Sequence, residues 1–375
     1  MSSLFGLLRA SVVALVLILP RTVTAAAAPL VETGEIDGAK FTLARPSRWN
    51  GHLLLLAHGY RAEDRPLVAD LNPSHGAIKT LLDEGWMVAK TSYRRNGIII
   101  TDAISDLDAL RNYIAEKFSP PDRVLLEGES MGGLIVTLMA ERDVTIPPLY
   151  AGAIAIGAAL QAREANSTVG LSMQPKIPLL FLSNQSEIEG PRLYVSADIP
   201  GSASVRPALF RVLRNGHVNV NQHERLVAIR ALNAWLDHGP AALPVRPGET
   251  PFFDATVPPP AQPSRVTPHA DGRGFDARVL DISAVYGNIA IDAQPLDFRA
   301  AEIGGMTYVE LRAAGKTFRV RYARDFTDVP RGDWVLFPNA DGFCWLARNQ
   351  RDAAATANLA VGDVVTLRRY EPVSP

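Results

Sequence analysis

The sequence predicts an α/β protein: a mostly parallel sheet with helices on both faces, followed by a small all-β barrel or sandwich domain. Three observations carry this. Continuous apolar runs that read as buried strands alternate with helix-periodic segments as far as residue 239. A stretch rich in proline and polar residues, 240–274, breaks that pattern and reads as a linker, stiffened at Pro258-Pro259-Pro260. Beyond it, short strand-like runs recur at near-regular spacing, as all-β domains require.

Composition sets the outer bounds. The chain has 375 residues, 47% of them hydrophobic and 21% charged, which is globular and long enough for two domains. A formal net charge of −1 gives no electrostatic case for a nucleic-acid or anionic-membrane partner. Arg9 precedes the apolar run Ala10 to Leu19, and Pro20 leads into small residues from Thr22 to Ala28. This reads as a secretory signal peptide over 1–28, so the mature protein is expected to be exported, periplasmic or secreted. The apolar run is shorter than the roughly 20 residues a membrane helix needs, so no stable membrane association is expected. Cys344, the only cysteine, cannot form an internal disulfide and reads as a small core residue.

The elements follow in order. Asp37-Gly38 between two strand-like runs, Leu30 to Ile36 and Lys40 to Leu43, marks an opening hairpin. His52 to Ala57 is a buried strand that ends in the loop His58-Gly59-Tyr60. Trp86 to Tyr93 is the next strand, and Thr101 to Phe118 carries apolar residues at helical spacing until Pro120-Pro121 stops it. Val124-Leu125-Leu126, Ala151 to Leu160, Ile177 to Leu182 and Leu209 to Leu213 complete the strands, and a helix begins near Asn221 and runs to His238.

Gly128-Glu129-Ser130-Met131-Gly132-Gly133 stands between a strand and a helix. A serine on so sharp a turn needs glycines two residues to either side, because the backbone passes itself closely there. Such a turn lifts the Ser130 hydroxyl clear of the sheet and aims the helix N-terminus at a developing oxyanion. The N–H groups of Tyr60 and Met131 are the expected oxyanion donors. A serine nucleophile needs a base, and the base an orienting acid. His217, in Asn215-Gly216-His217 after the Leu209 to Leu213 strand, lies where the base belongs; His58 reads as a loop-bracing residue. For the acid, Glu187 in the loop after Leu182 leads, with Asp198 and Glu189 as rivals. Only a short stretch separates Leu160 from Ile177, too little for a large lid, which points to an open site and small or polymeric substrates.

Trp49-Asn50-Gly51, His58-Gly59-Tyr60, Gly128 to Gly133 and Asn215-Gly216-His217 resemble the α/β-hydrolase superfamily, in particular its exported bacterial esterase-like members, over about Leu30 to Gly239. The resemblance implies an α/β-hydrolase domain over 29–239, a Ser-His-acid triad and an acyl-enzyme mechanism, with no metal or organic cofactor. Glu187 stands where such proteins commonly carry aspartate.

In the second half, strands are expected over Arg278 to Ile282, Ile289 to Ala293, Thr307 to Leu311, Thr317 to Tyr322, Trp334 to Phe337, Phe343 to Leu346 and Val364 to Leu367, with one short helix around Asp352 to Leu359. Tyr286-Gly287-Asn288, Phe318 to Ala323, Gly332-Asp333, Ala347-Arg348-Asn349-Gln350 and Gly362-Asp363-Val364-Val365 resemble the C-terminal domain of the S-adenosylmethionine hydroxide adenosyltransferase and halogenase family. By that resemblance the β-domain spans 275–375, and Asn288, Arg348 and Asn349 match positions that hold the adenine end of the ligand. The family's N-terminal domain, which carries its catalytic groups, has no counterpart here. The chain therefore reads as an exported serine esterase, with two alternatives: an adenosyl-binding or S-adenosylmethionine-hydrolysing protein, or a catalytically silent hydrolase fold used for interaction. Oligomeric state is not legible.

Overall fold

The computed structural model describes residues 28–142, 145–197, 205–248 and 253–371. The segment read as a signal peptide lies outside them save for Ala28, as does Asp198.

The first domain runs β1 (Leu30–Ile36), β2 (Ala39–Arg45), β3 (His52–Ala57), α1 (Gly76–Asp83), β4 (Met87–Thr91), α2 (Ile100–Lys117), β5 (Arg123–Glu129), α3 (Met131–Arg142), β6 (Gly152–Ile156), β7 (Leu179–Asn184), α4 (Glu189–Val195), β8 (Ala208–Val212), α5 (Gln222–His238) and β9 (Phe253–Asp254). Its nine-stranded sheet has the order β1-β2-β4-β3-β5-β6-β7-β8-β9. The hairpin β1-β2 and the β2–β4 pair are antiparallel, and every later pair is parallel. This is the α/β-hydrolase fold.

The continuous apolar strands have a simple cause, because both faces of the sheet are covered. Leu53 and Leu55 of β3, Val124 and Leu126 of β5 and Phe181 of β7 pack with α2, α3 and α4. Their alternate neighbours Leu54, Leu125, Leu180 and Leu182 pack with α1 and α5 on the other face.

Pro268 closes β10 (Thr267–Pro268), and from there the second domain runs β11 (Gly274–Ile282), β12 (Ile289–Ile291), α6 (Pro295–Ala300), β13 (Thr307–Ala313), β14 (Lys316–Tyr322), β15 (Trp334–Pro338), β16 (Cys344–Arg348), α7 (Ala353–Ala357) and β17 (Val364–Arg369). Pairing of β11 with β17 closes seven strands into a barrel, with β10 attached to β11. The interior is apolar, and Cys344 is fully buried within it.

The region read as a linker does more than connect. Phe253 and Asp254 pair with β8 as the ninth strand of the first sheet, and the Phe253 ring lies 4.9 Å from that of Phe210. The Asn221 side-chain amide donates to the Val257 carbonyl at 2.7 Å, and the Val257 N–H donates to Glu224 at 3.0 Å. Two-residue strands have no periodicity to read, so the sequence pattern hid them.

Candidate active site

The turn at Ser130 shows why its flanking glycines are required. A Cβ on Gly128 would stand 2.1 Å from the Gly132 carbonyl oxygen, and one on Gly132 would stand 2.0 Å from that of Ala57. Ser130 itself adopts φ 55°, a left-handed conformation that costs a non-glycine residue about 1–3 kcal/mol. The Ser130 N–H donates to Ile156 and the Ser130 carbonyl accepts from Ala159, which fixes the strained residue from two sides. Met131 opens α3, so its N–H has no acceptor one turn back in the helix. A Cβ on Gly59 would lie 3.1 Å from Ser130 Cβ, so the loop through Gly59 and Tyr60 passes directly over the hydroxyl.

Beneath that loop His58 is buried, with Nδ1 2.7 Å from the Gly59 carbonyl oxygen and Nε2 3.0 Å from that of Ser92. Burial, aided by the Arg61 charge, pushes its pKa down to about 3, so the ring is neutral and its single N–H donates to one of the two carbonyls.

His217 is held by two loops that are stitched together. Asn184 and Asn219 exchange hydrogen bonds of 2.9 and 2.8 Å. Ser186 Oγ donates to the Gly216 carbonyl at 3.1 Å and accepts from the Gly216 N–H at 2.9 Å, and Gln185 donates to Asn215 at 3.0 Å. The result is a hydrogen-bonded chain. His217 Nε2 lies 2.7 Å from Ser130 Oγ, His217 Nδ1 lies 2.5 Å from Glu187 Oε2, and Glu187 Oε1 accepts from the Val218 N–H at 3.1 Å. Of the two candidate carboxylates among the described residues, Glu187 is the one in contact with His217. Glu189 is exposed and pairs with Arg192, while Asp198 lies outside the described residues.

An ion cluster ties the elbow to the helix after His217. Arg225 of α5 donates to Glu127 at 2.7 Å and also pairs with Glu129, the neighbour of Ser130. Burial raises the Glu127 carboxyl, with the Arg225 charge opposing; at Glu129 that charge prevails over burial and lowers the pKa.

The β-domain supplies part of the lining of the serine's cavity. A cavity of about 1620 Å³ is lined by Ser130, His217, Gly59 and Tyr60 on one side and by Tyr286, Asn288, Phe326 and Arg348 on the other. Arg65 crosses between the domains, 2.8 Å from Asp352 and 3.1 Å from the Val285 carbonyl. Asn219 Nδ2 reaches the Pro338 carbonyl at 3.3 Å. Two groups unforeseen in the sequence act on His217 from this domain. Phe326 lies edge-on to its ring at 6.0 Å, and Asp325 adds negative charge. No local motif marks either residue, since only closure of the barrel against the first domain brings them there.

Asn288 and Arg348 face the shared cavity, but Asn349 does not. Successive residues at the end of a strand point to opposite sides. The Asn349 amide accordingly donates to the Val329 carbonyl at 2.8 Å inside the domain. Arg348 is partly committed, to the Gly332 carbonyl at 2.9 Å and Thr356 at 3.0 Å. Among the described residues no group of three or more histidine, cysteine, aspartate or glutamate side chains could hold a metal ion, and no helix is long and apolar enough to cross a membrane.

Residues 278–366 match the family model of the SAM hydroxide adenosyltransferase C-terminal domain. No curated protein matches the chain. Among solved structures, an uncharacterized conserved protein from Thermotoga maritima is similar at 21% identity over 29% of this chain and 40% of that one, with a TM-score of 0.27. Est1E from Butyrivibrio proteoclasticus is similar at 13% identity over 56% of this chain and 99% of that one, with a TM-score of 0.37. An alpha-beta serine hydrolase homologue from Coxiella burnetii is similar at 15% identity over 56% and 97%, also with a TM-score of 0.37.

Burial lowers the His217 pKa, but the hydrogen bond and charge of Glu187, with Asp325 and Glu129 behind it, outweigh burial and raise it above 6.5. The imidazole should therefore half-titrate above that pH, followed by NMR of its ring protons. Asp325→Asn keeps a capping side chain for Thr327 and removes one negative neighbour, so it should move the titration to lower pH.

Proposed function

We propose that the protein is an exported serine hydrolase that cleaves carboxylic esters through an acyl-enzyme. The single observation that carries this reading is the chain of 2.7 Å and 2.5 Å contacts from Ser130 through His217 to Glu187. In the proposed mechanism Ser130 Oγ attacks the ester carbonyl while His217 Nε2 takes its proton, and Glu187 holds the ring in the tautomer that leaves Nε2 free to accept. The N–H groups of Met131 and Tyr60 bind the developing oxyanion. His217 returns the proton to the departing alcohol. Water then repeats the attack on the acyl-serine, with His217 again as base, and releases the acid. The export step rests on the sequence pattern of residues 1–28.

The test is turnover of a small ester by the full mature chain. Ser130→Ala and His217→Ala should each lower kcat by about 10²–10⁴ or more, the range general-base catalysis supplies. Wild-type rates in either variant would reject the assignment.

A second reading, a nucleoside-binding cavity, is favoured by one observation: Asn288 and Arg348 line the same cavity as Ser130. Calorimetric titration of the full chain with adenosine and with S-adenosylmethionine tests it. That reading expects heat that is lost in Asn288→Ala, and no heat at millimolar ligand would reject it.

A further inference from the structure

Among the polar and charged residues that the β-domain brings to the cavity, such as Arg331, Arg348 and Asp352, stand the aromatic side chains Phe326, Phe337 and Trp345, and local structure explains their place. In β15 and β16 the side chains alternate. Leu336 and Leu346 pair across the strands and point into the barrel core, whereas Val335 and Ala347 join Ala323 and Val329 in a separate apolar cluster outside it. Phe326 and Phe337 pack at the edge of that outer cluster, and Phe337 pairs in register with Trp345. Phe326, Phe337 and Trp345 all border the cavity that holds Ser130 and His217. Tyr286 of the same domain and Tyr60 of the first domain, both lining the cavity, remain 44% and 37% exposed.

The loop that carries Phe326 is fixed. Asp325 accepts from the Thr327 N–H at 2.7 Å and from its hydroxyl at 2.5 Å, and Arg324 pairs with Asp328 at 2.7 Å. Half-buried aromatic faces, one on a hydrogen-bonded loop and two on paired strands, line the cavity that holds Ser130 and form a preorganised surface for a ring: stacked and edge-on contacts add to the area such a ring removes from water.

We propose that the esters cleaved carry an aromatic ring, which seats against Phe326, Phe337 and Trp345 while the carbonyl lies at Ser130. This rests on the ester-hydrolase reading above. The chemistry is unchanged: the acyl–oxygen bond breaks, an acyl–Ser130 bond forms, the alcohol leaves with the proton from His217, and water restores the serine. The β-domain thereby determines specificity.

The experiment compares kcat/KM for benzyl acetate with that for ethyl acetate, and for ethyl 3-phenylpropanoate with that for ethyl propanoate. The wild-type enzyme should favour the ring-bearing member of at least one pair by about tenfold or more. Trp345→Ala and Phe326→Leu, the latter keeping an apolar group in the outer cluster, should each lower that ratio by several-fold. Equal values within both pairs for the wild type, or variants that lower both members alike, would overturn the proposal. Calorimetry of benzyl acetate binding to Ser130→Ala, alone and combined with Trp345→Ala, reads the wall without turnover. Ring binding that needs Trp345 in a chain that hydrolyses no ester would retain the wall and reject the hydrolase reading. Absence of ring binding in Ser130→Ala would count against the wall.

Discussion

The structure depends on how tightly the backbone folds back on itself at Ser130. Gly128 lies against the Gly132 carbonyl and Gly132 against that of Ala57, at separations where no side-chain carbon fits. Ser130 is held at φ 55° between β5 and α3. This contortion raises a single hydroxyl above the carboxyl edge of a parallel sheet and points the unbonded N–H groups of α3 toward it. Every other part of the site is placed relative to that point. The loops after β7 and β8 bring Glu187 and His217, and Arg225 of α5 anchors the elbow strand through Glu127 and Glu129.

The β-domain enters the same design from outside. It caps the carboxyl edge through the Arg65–Asp352 pair and the Asn219–Pro338 contact, and it delivers Phe326 and Asp325 to His217. The site is a cavity with two dissimilar walls. One wall carries Ser130 and His217, and the other carries aromatic faces together with Asn288 and Arg348. The β-domain's cavity-lining residues thus border the same space as Ser130.

Much of this was legible in the sequence because the constraints are local. Strand, Gly-x-Ser-x-Gly and helix impose a turn whatever surrounds them, and the α2 boundaries, Ile100–Lys117, fall one residue from those read from periodicity. Glu187 was separable from Glu189 only in three dimensions. Both are carboxylates after the same strand, but Glu189 begins α4 and turns toward Arg192. Sequence matching does not show which side of a strand end a residue faces, and the Asn349 amide donates to the Val329 carbonyl within the domain. The β-domain's place as a roof left no trace in any pattern, because Arg65 and Asp352 are ordinary surface charges until the two domains meet.

The most direct measurement is active-site mapping: treatment of the folded protein with a small fluorophosphonate, followed by proteolysis and mass spectrometry. The account predicts one phosphonylated peptide, modified at Ser130, whose formation slows strongly in His217→Ala. An unmodified Ser130 peptide in the folded protein, or equal labelling with and without His217, would contradict it.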